Sequence, residues 1–219
     1  RFFQMKRKKT ALAVLAALVS LCMMLTMLGG CTGHDTSDSH TTEASSDEGM
    51  KDGERFETVI LLEGMEETVR YEHVRNETIG FEMDYDYETL ERRSGQDYEQ
   101  FLSRFDDPKK PENYLEVSCR PEDVRTVAAA IRADLQKTYG SVTTEEQYTL
   151  DRAGSCVQIS AVQAKKDKAY QDSMQTVYII PAANGCLVAA AHYTVESAEG
   201  FGARFDSIVN TISVLGGQP

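Results

Sequence analysis

Four carboxylates alternate along one short stretch of the sequence and could bind a hard cation. Glu82, Asp84, Asp86 and Glu88 lie two residues apart, so they share one face of an extended strand. Calcium prefers several carboxylate oxygens that converge on one point. Neighbours in this row would stand about 7 Å apart, at roughly 3.3 Å per residue, and the sequence lacks the glycine turn and distal glutamate of a calcium loop. The pattern therefore favours a solvated strand face, with a metal site as the alternative.

Nucleophilic catalysis requires a nucleophile with a base in reach, and the sequence offers few candidates. Only His73 and His192 lie beyond residue 54. His192 shares a strand face with Cys186, but the two would stand about 20 Å apart along that strand. The sequence contains no Gly-x-Ser-x-Gly elbow, no His-Glu-x-x-His helix and no phosphate-binding glycine loop. We therefore expect no enzyme activity and no cofactor, with a hydrolase whose site is unrecognised as the alternative.

Three cysteines fall in predicted strands, namely Cys119, Cys156 and Cys186. An odd number leaves at least one free thiol. Cys156 and Cys186 begin strands that have another strand between them, which places their Cα atoms beyond disulfide range. We therefore expect free, buried cysteines.

The elements that must position these residues lie in residues 55–219, which supply enough chain for a single core. Hydrophobic patterns predict strands over residues 56–62, 68–74, 78–87, 113–119, 142–150, 155–163, 174–181 and 186–195. Helical spacing predicts a short helix over 97–105, a long one from Pro121 to Gly140, and a last one opened by Ser197 and Glu199. The pair Asn184-Gly185 between the last two of these strands predicts a hairpin turn. Since most strands pair with sequence neighbours, we expect an α+β domain with an antiparallel β-sheet covered by helices.

This element order resembles the PsbP/Mog1-like family over residues 68–214. The resemblance is carried by the phrase Gly-Phe-Glu-Met-Asp-Tyr at residues 80–85, the central helix, the strands with Tyr178 and Tyr193, and the closing helix with Phe205-Asp206-Ser207-Ile208-Val209. It implies an α/β/α sandwich. Members of that family are mostly non-enzymatic accessory, assembly or binding proteins, so the resemblance implies a module of the same kind here.

Residues 1–30 have the composition of a secretory signal rather than of a folded domain. Lys6-Arg7-Lys8-Lys9 precede an apolar run over residues 11–27, and Leu28-Gly29-Gly30-Cys31 follow it. Residues 1–4 add nothing to this design, so Met5 is the predicted native start. An uncleaved transmembrane anchor is the alternative, because residues 10–28 are nearly long enough to span a bilayer.

The same order of segments resembles the signal peptide and lipobox of a bacterial lipoprotein. The resemblance implies that a signal peptidase recognises Leu28, Gly29 and Gly30 and cleaves before Cys31. It also implies that the Cys31 thiol carries a diacylglyceryl group with palmitate-like chains, because two acyl chains give stable membrane anchoring where one does not. This places the chain on the outer face of the bacterial cell membrane.

Residues 31–54 contain mainly serine, threonine, glycine and acidic residues, so we predict a lipidated, disordered acidic linker. His34 and His40 lie in it and could bind a metal only weakly, because a flexible tract has no fixed geometry.

The net charge of the chain limits the classes of molecule that it can bind. Beyond residue 30 the chain has 18 basic and 35 acidic residues, a net charge of −17. Such a chain does not attract nucleic acid. The sequence therefore predicts a membrane-anchored envelope lipoprotein with a non-catalytic binding or accessory domain. Its expected partners are the membrane, through the anchor on Cys31, and an envelope protein. An envelope hydrolase is the alternative.

Overall fold

The computed structural model describes residues 49–62, 64–163 and 172–216. These residues form one compact unit. Its helices are α1 (Val124–Thr138) and α2 (Ala203–Val209), and a π-helical turn, Ala198–Gly202, precedes α2. Its strands are β1 (Arg55–Leu62), β2 (Met65–Asn76), β3 (Phe81–Asp86), β4 (Leu90–Ser94), β5 (Tyr98–Ser103), β6 (Tyr114–Arg120), β7 (Ser141–Leu150), β8 (Gly154–Val162), β9 (Ser173–Ala182), β10 (Gly185–Thr194) and β11 (Ser213–Val214).

The strands form two antiparallel sheets. The large sheet has seven strands in the order β4-β5-β6-β10-β9-β8-β7, and the small sheet has four in the order β1-β2-β3-β11. The predicted hairpin at Asn184-Gly185 is present, since Gly185 pairs with Ala182 across the β9–β10 turn. Gly185 has a φ of +120°, and a Cβ there would collide with the backbone carbonyl of Arg120. Glycine is therefore required at this turn.

One face of the large sheet packs against α1. The helix buries Val127, Ala128 and Leu135 against the apolar side chains of β8, β9 and β10. Its first turn is capped by Asp123, whose carboxylate accepts the N–H of Thr126 at 3.0 Å and the hydroxyl of Thr126 at 2.7 Å. These bonds hold the pKa of Asp123 below its usual range. The predicted helix is thus present, but it begins at Val124, three residues after the predicted start at Pro121, and ends at Thr138, before the predicted end at Gly140.

The other face of the large sheet packs against the small sheet and α2. This larger core includes Phe81 and Met83 of β3, Phe101 of β5 and Phe205 and Ile208 of α2, all at most 1% exposed. The domain is therefore α+β with mostly antiparallel sheet and two short helices among the described residues. Helices cover the large sheet only in part, because the small sheet occupies much of its second face.

The predicted helix over residues 97–105 is wrong, since β5 occupies this stretch. Phe101 and Leu102 point to opposite faces of β5 and are both buried, and adjacent buried residues imitate helical spacing. Glu99 on the same strand is 1% exposed. Burial favours its neutral form, but hydrogen bonds from Arg92, Asn76 and Ser94 outweigh this and hold the pKa of Glu99 below its usual range.

Two further differences concern the ends of the domain. The last predicted helix is divided into the π-helical turn and α2. At the other end, residues 51–54, counted in the predicted linker, contact β2: Gly53 N–H donates to the His73 carbonyl at 2.8 Å, and Asp52 accepts from the Arg75 N–H at 2.9 Å.

We predict that Asp123→Ala lowers the free energy of unfolding by about 1 kcal/mol, since it removes the N-cap acceptor. Asp123→Asn keeps an acceptor oxygen and should lower it by at most a few tenths of that amount. Urea denaturation of both variants measures the difference. Equal losses would contradict the assigned cap.

Candidate functional site

A cleft of about 510 Å³ lies between the small sheet, α2 and the β7–β8 turn. Apolar and aromatic side chains of β1 and β2 form one wall, and polar side chains of α2 and the turn form the other. The lining residues used below are Phe56, Ile60, Tyr71, Asp84, Arg152, Asp206, Ser207 and Thr211.

Asp84 on β3 is a carboxylate at this cleft that is only 1% exposed. Its Oδ1 accepts from Nδ1 of His73, directly opposite on β2, at 2.7 Å. Its Oδ2 lies 3.1 Å from Nη2 of Arg152 in the β7–β8 turn. The backbone N–H of Asp84 donates to Oγ1 of Thr211 at 2.8 Å. These partners compensate for the loss of water, which is expensive for a buried charge.

Asp86, two residues along β3, is 3% exposed and pairs with α2. Nη1 of Arg204 donates to Oδ2 of Asp86 at 2.6 Å, and Nη2 of the same arginine donates to Glu67 on β2 at 3.0 Å. Oδ1 of Asp86 accepts the backbone N–H of Glu88 at 3.0 Å. Arg204 therefore joins α2 to two strands of the small sheet.

Asp206, on the same helix, joins α2 to the large sheet. Its Oδ1 accepts from the hydroxyl of Tyr178 on β9 at 2.9 Å and from that of Tyr148 on β7 at 3.3 Å. Burial, together with the Asp206 carboxylate, raises the pKa of both tyrosines, so they remain neutral donors. The next residue, Ser207, lies 3.3 Å from the hydroxyl of Tyr71 on β2. Consecutive residues of α2 thus contact both sheets.

The prediction of a solvated acidic face is wrong for the middle of the row. Asp84 and Asp86 are buried and Glu82 is partly buried, whereas Glu88 is exposed. The physical reason is that α2 and the β7–β8 turn cover this face of β3, which a strand pattern alone does not reveal.

The outer members of the row are also paired with basic side chains. Glu82 accepts from Arg75 at 3.0 Å, and Glu88 accepts from Arg70 at 2.9 Å. All four carboxylates of the row therefore have a different arginine as partner. Within residues 49–62, 64–163 and 172–216, no three histidine, cysteine or acidic side chains are arranged to hold a metal ion.

His73 is the titratable side chain closest to a catalytic arrangement. It is 3% exposed, and its Nδ1 is oriented by Asp84 as in a nucleophile-activating pair. Its Nε2 has no hydrogen-bond partner within the part of the chain that the structure describes, and Oε2 of Glu82 lies 3.9 Å away. A metal at this point would have these two protein ligands, and Glu82 is already bonded to Arg75. The arrangement orients an imidazole, and no described hydroxyl or thiol is hydrogen-bonded to its Nε2.

His192 lies on β10, directly opposite Tyr114 on β6, and the two rings stack with centroids 4.4 Å apart. Burial lowers the pKa of His192 from the ordinary 6.5 to about 4. The imidazole is therefore neutral at physiological pH and packs as an aromatic ring.

The cysteine prediction is confirmed for two of three residues. Cys156 and Cys186 are free and buried, and burial raises their pKa values to about 12 and about 11. Thiols with such pKa values are unreactive at neutral pH. Cys119 is free but exposed, because it lies next to the end of β6 where the small sheet no longer covers it.

Sequence reasoning missed Arg152, Arg204, Asp206 and Thr211. Arg152 occupies a turn and the other three lie in or just after α2, so no spacing relates them to β3. The only available signal was Arg204 and Asp206 within an otherwise apolar helix pattern. The predicted lipobox residues Leu28, Gly29, Gly30 and Cys31 lie outside the described residues. Among the described residues, neither helix has the length and apolar character to cross a bilayer.

Fold and site together define an antiparallel α+β domain whose cleft is bordered by paired charges. No protein-family model matches the chain, and no curated protein sequence matches it. Solved structures similar to it include the solution structure of cyanobacterial PsbP (CyanoP) from Synechocystis sp. PCC 6803, at 11% identity and a TM-score of 0.42, covering 66% of this chain and 92% of that one. Another is a crystal structure from Bacteroides thetaiotaomicron VPI-5482, at 14% identity and a TM-score of 0.38. The match covers 61% of this chain and 44% of the Bacteroides chain, so this chain spans less than half the length of that protein.

We predict that His192 makes stability depend on pH between about 6.5 and 4. In this range the unfolded chain binds a proton at His192 that the folded chain does not, so stability is complete above pH 6.5 and falls as the pH drops towards 4. Between pH 7 and pH 4.5 the native chain should lose about 2 kcal/mol more than His192→Gln, at about 1.4 kcal/mol per pKa unit. Urea denaturation across this range measures both profiles, and parallel profiles would contradict the assignment.

Proposed function

We propose that this chain is an envelope lipoprotein, held on the outer face of a bacterial cell membrane by a diacylglyceryl group on Cys31. Its α+β domain binds or positions an envelope partner without catalysing a reaction. The membrane and that partner are its two contacts, and nucleic acid is not among them.

The observation that carries this proposal is the order of segments at the start of the sequence. A basic cluster, an apolar run, Leu28-Gly29-Gly30-Cys31 and a polar linker follow one another as a lipoprotein signal requires. The small residues Gly29 and Gly30 let a peptidase approach the bond before Cys31, and Leu28 fills an apolar pocket. The net charge of −17 beyond residue 30 suits export and opposes binding to anionic headgroups without an anchor.

Two features of the cleft support a non-catalytic domain. Nε2 of His73 faces Glu82 instead of a hydroxyl or thiol. Asp84, Asp206 and Ser207 are already bonded to other side chains, so they serve the packing of α2. We further propose that the domain has the PsbP/Mog1-like α/β/α sandwich, supported by the phrase at residues 80–85 and the order of the elements.

An envelope hydrolase is the second candidate. It is favoured by the His73–Asp84 contact of 2.7 Å beside a cleft. Against it stands the position of Nε2, since general-base catalysis needs that nitrogen within hydrogen-bond reach of the proton it removes.

We predict that the native protein, purified from its membrane, has a mass that shows cleavage before Cys31 and two ester-linked acyl chains with a glyceryl group. Cys31→Ala should retain the uncleaved signal and carry no lipid, because the acyl acceptor is gone. Cys22→Ala is the matched control, since it removes a cysteine of the apolar run and should leave the native mass change intact. Intact mass spectrometry measures all three.

Membrane retention alone is not a sufficient readout, because an uncleaved apolar segment also holds a chain in the bilayer. An uncleaved and unacylated native protein would overturn the proposal in favour of a transmembrane anchor. Equal behaviour of Cys31→Ala and the native chain would do the same.

A further inference from the structure

β1 is an edge strand that exposes apolar side chains. It ends the small sheet, and its outer edge pairs with no strand of the described chain. Val59 and Leu61 on this strand are 57% and 67% exposed, and Met65 at the start of β2 is 68% exposed. Unpaired backbone groups next to exposed apolar side chains favour pairing with another strand.

The other sheet edges carry the features that prevent such pairing. At one edge of the large sheet, β7 contains a register shift between Glu145 and Tyr148 and the neighbouring acid Glu146. At the opposite edge, β4 has only five residues, three of them charged. β11, at the far edge of the small sheet, has two residues. Bulges, charges and short length each protect an edge strand.

β1 has neither a bulge nor a short length, and its two charged residues, Arg55 and Glu57, lie within its first three positions. Its pairing with β2 is regular over all eight residues from Arg55 to Leu62. The five residues Thr58–Leu62 contain no charge, proline or glycine. The outer edge of β1 is therefore long and regular, and its last five residues are uncharged. The other three edge strands, β4, β7 and β11, do not share these features.

We propose that β1 pairs antiparallel with β1 of a second copy of this chain and joins two small sheets into one continuous eight-stranded sheet. The two-fold axis is perpendicular to the sheet and passes midway between the two Val59 residues. This inference goes beyond the proposed function and does not depend on lipidation at Cys31.

The side chains of β1 match one another in this register. Val59 lies opposite Val59 of the second copy, Thr58 opposite Ile60, and Phe56 opposite Leu62. Branched and apolar pairs of this kind stabilise antiparallel strands. Glu57 lies opposite Leu61, so the two Glu57 carboxylates do not face each other, and each stays bonded to Arg70 of its own copy at 2.9 Å.

The charge distribution favours a second copy over a charged partner. The end of β1 offers no charge that would recruit a basic or acidic strand, whereas a copy supplies seven opposed residues over positions 56–62. The two copies are both strongly acidic and repel each other at a distance, so added salt should strengthen the association by screening. Binding to a basic partner would weaken with salt instead.

The test uses the full-length protein in its native membrane. It places a cysteine next to the two-fold axis of the proposed dimer. All variants carry Cys119→Ser, which removes the exposed native thiol. Directly opposed residues of antiparallel strands have Cα atoms about 4.5–5.5 Å apart, within disulfide range. Val59→Cys should therefore give a covalent dimer with copper phenanthroline on a non-reducing gel. Phe105→Cys, which is 75% exposed and lies outside β1, is the matched control and should stay monomeric.

A charge change at Leu61 tests the register. In the Val59→Cys background, Leu61→Glu faces Glu57 of the second copy and should reduce the dimer about tenfold relative to Leu61→Lys, which faces the same carboxylate with opposite charge. Both substitutions replace one exposed apolar residue. Because Leu61 also lies opposite Glu66 within the chain, the unfolding midpoint of each variant is measured beside the crosslinking.

Every outcome decides the proposal. A Val59→Cys dimer that increases with salt and responds to the charge at residue 61 supports it. No dimer, or equal crosslinking at Phe105→Cys, overturns it. A crosslink from Val59→Cys to a different protein also overturns it, in favour of a partner strand at the same edge.

Discussion

The large sheet packs against the small sheet and α2 on one of its faces, and this packing depends on buried carboxylates. Each of these carboxylates requires a basic partner from another element. Asp84 and Asp86 lie on β3, where the small sheet, α2 and the β7–β8 turn meet. An unpaired carboxylate in this position would lose several kcal/mol of hydration, so β3 can be buried only if Arg152 and Arg204 are in place. The positions of α2 and of the turn are therefore coupled to the small sheet by charge as well as by apolar packing.

This coupling gives α2 an importance out of proportion to its seven residues. A helix of this length has little stability of its own, because helix formation needs a costly first turn. Here Arg204 contacts the small sheet and Asp206 contacts the large sheet. The carboxylates at the cleft are engaged in these contacts. Among the described residues, the outer edge of β1 differs from the other sheet edges, because its backbone is regular and it exposes a valine and a leucine.

The sequence was sufficient to predict those helices and strands that bury only one face. Helix α1 was predicted from the helical spacing of its apolar residues, and the β9–β10 hairpin from Asn184-Gly185. Prediction failed where tertiary contacts reverse a local signal. β5 buries the adjacent residues Phe101 and Leu102 and so imitates a helix, and β3 alternates like a half-solvated strand although distant arginines allow its acidic face to be buried. The arginine partners of Asp84 and Asp86 lie 68 and 118 residues away in the sequence, so no local spacing could identify them.

The most direct test of the buried pairing is the free energy of unfolding of Arg204→Met, compared with Arg70→Met by urea denaturation. Arg204 and Asp86 are 13% and 4% exposed, whereas Arg70 and Glu57 are 52% and 62% exposed. Methionine preserves much of the apolar packing in both variants, so charge is the main difference. We expect Arg204→Met to lose about 3 kcal/mol, since Asp86 is left buried and unpaired. Arg70→Met should lose less than about 1 kcal/mol. Equal losses would contradict the claim that the buried ion pairs hold the small sheet and α2 together.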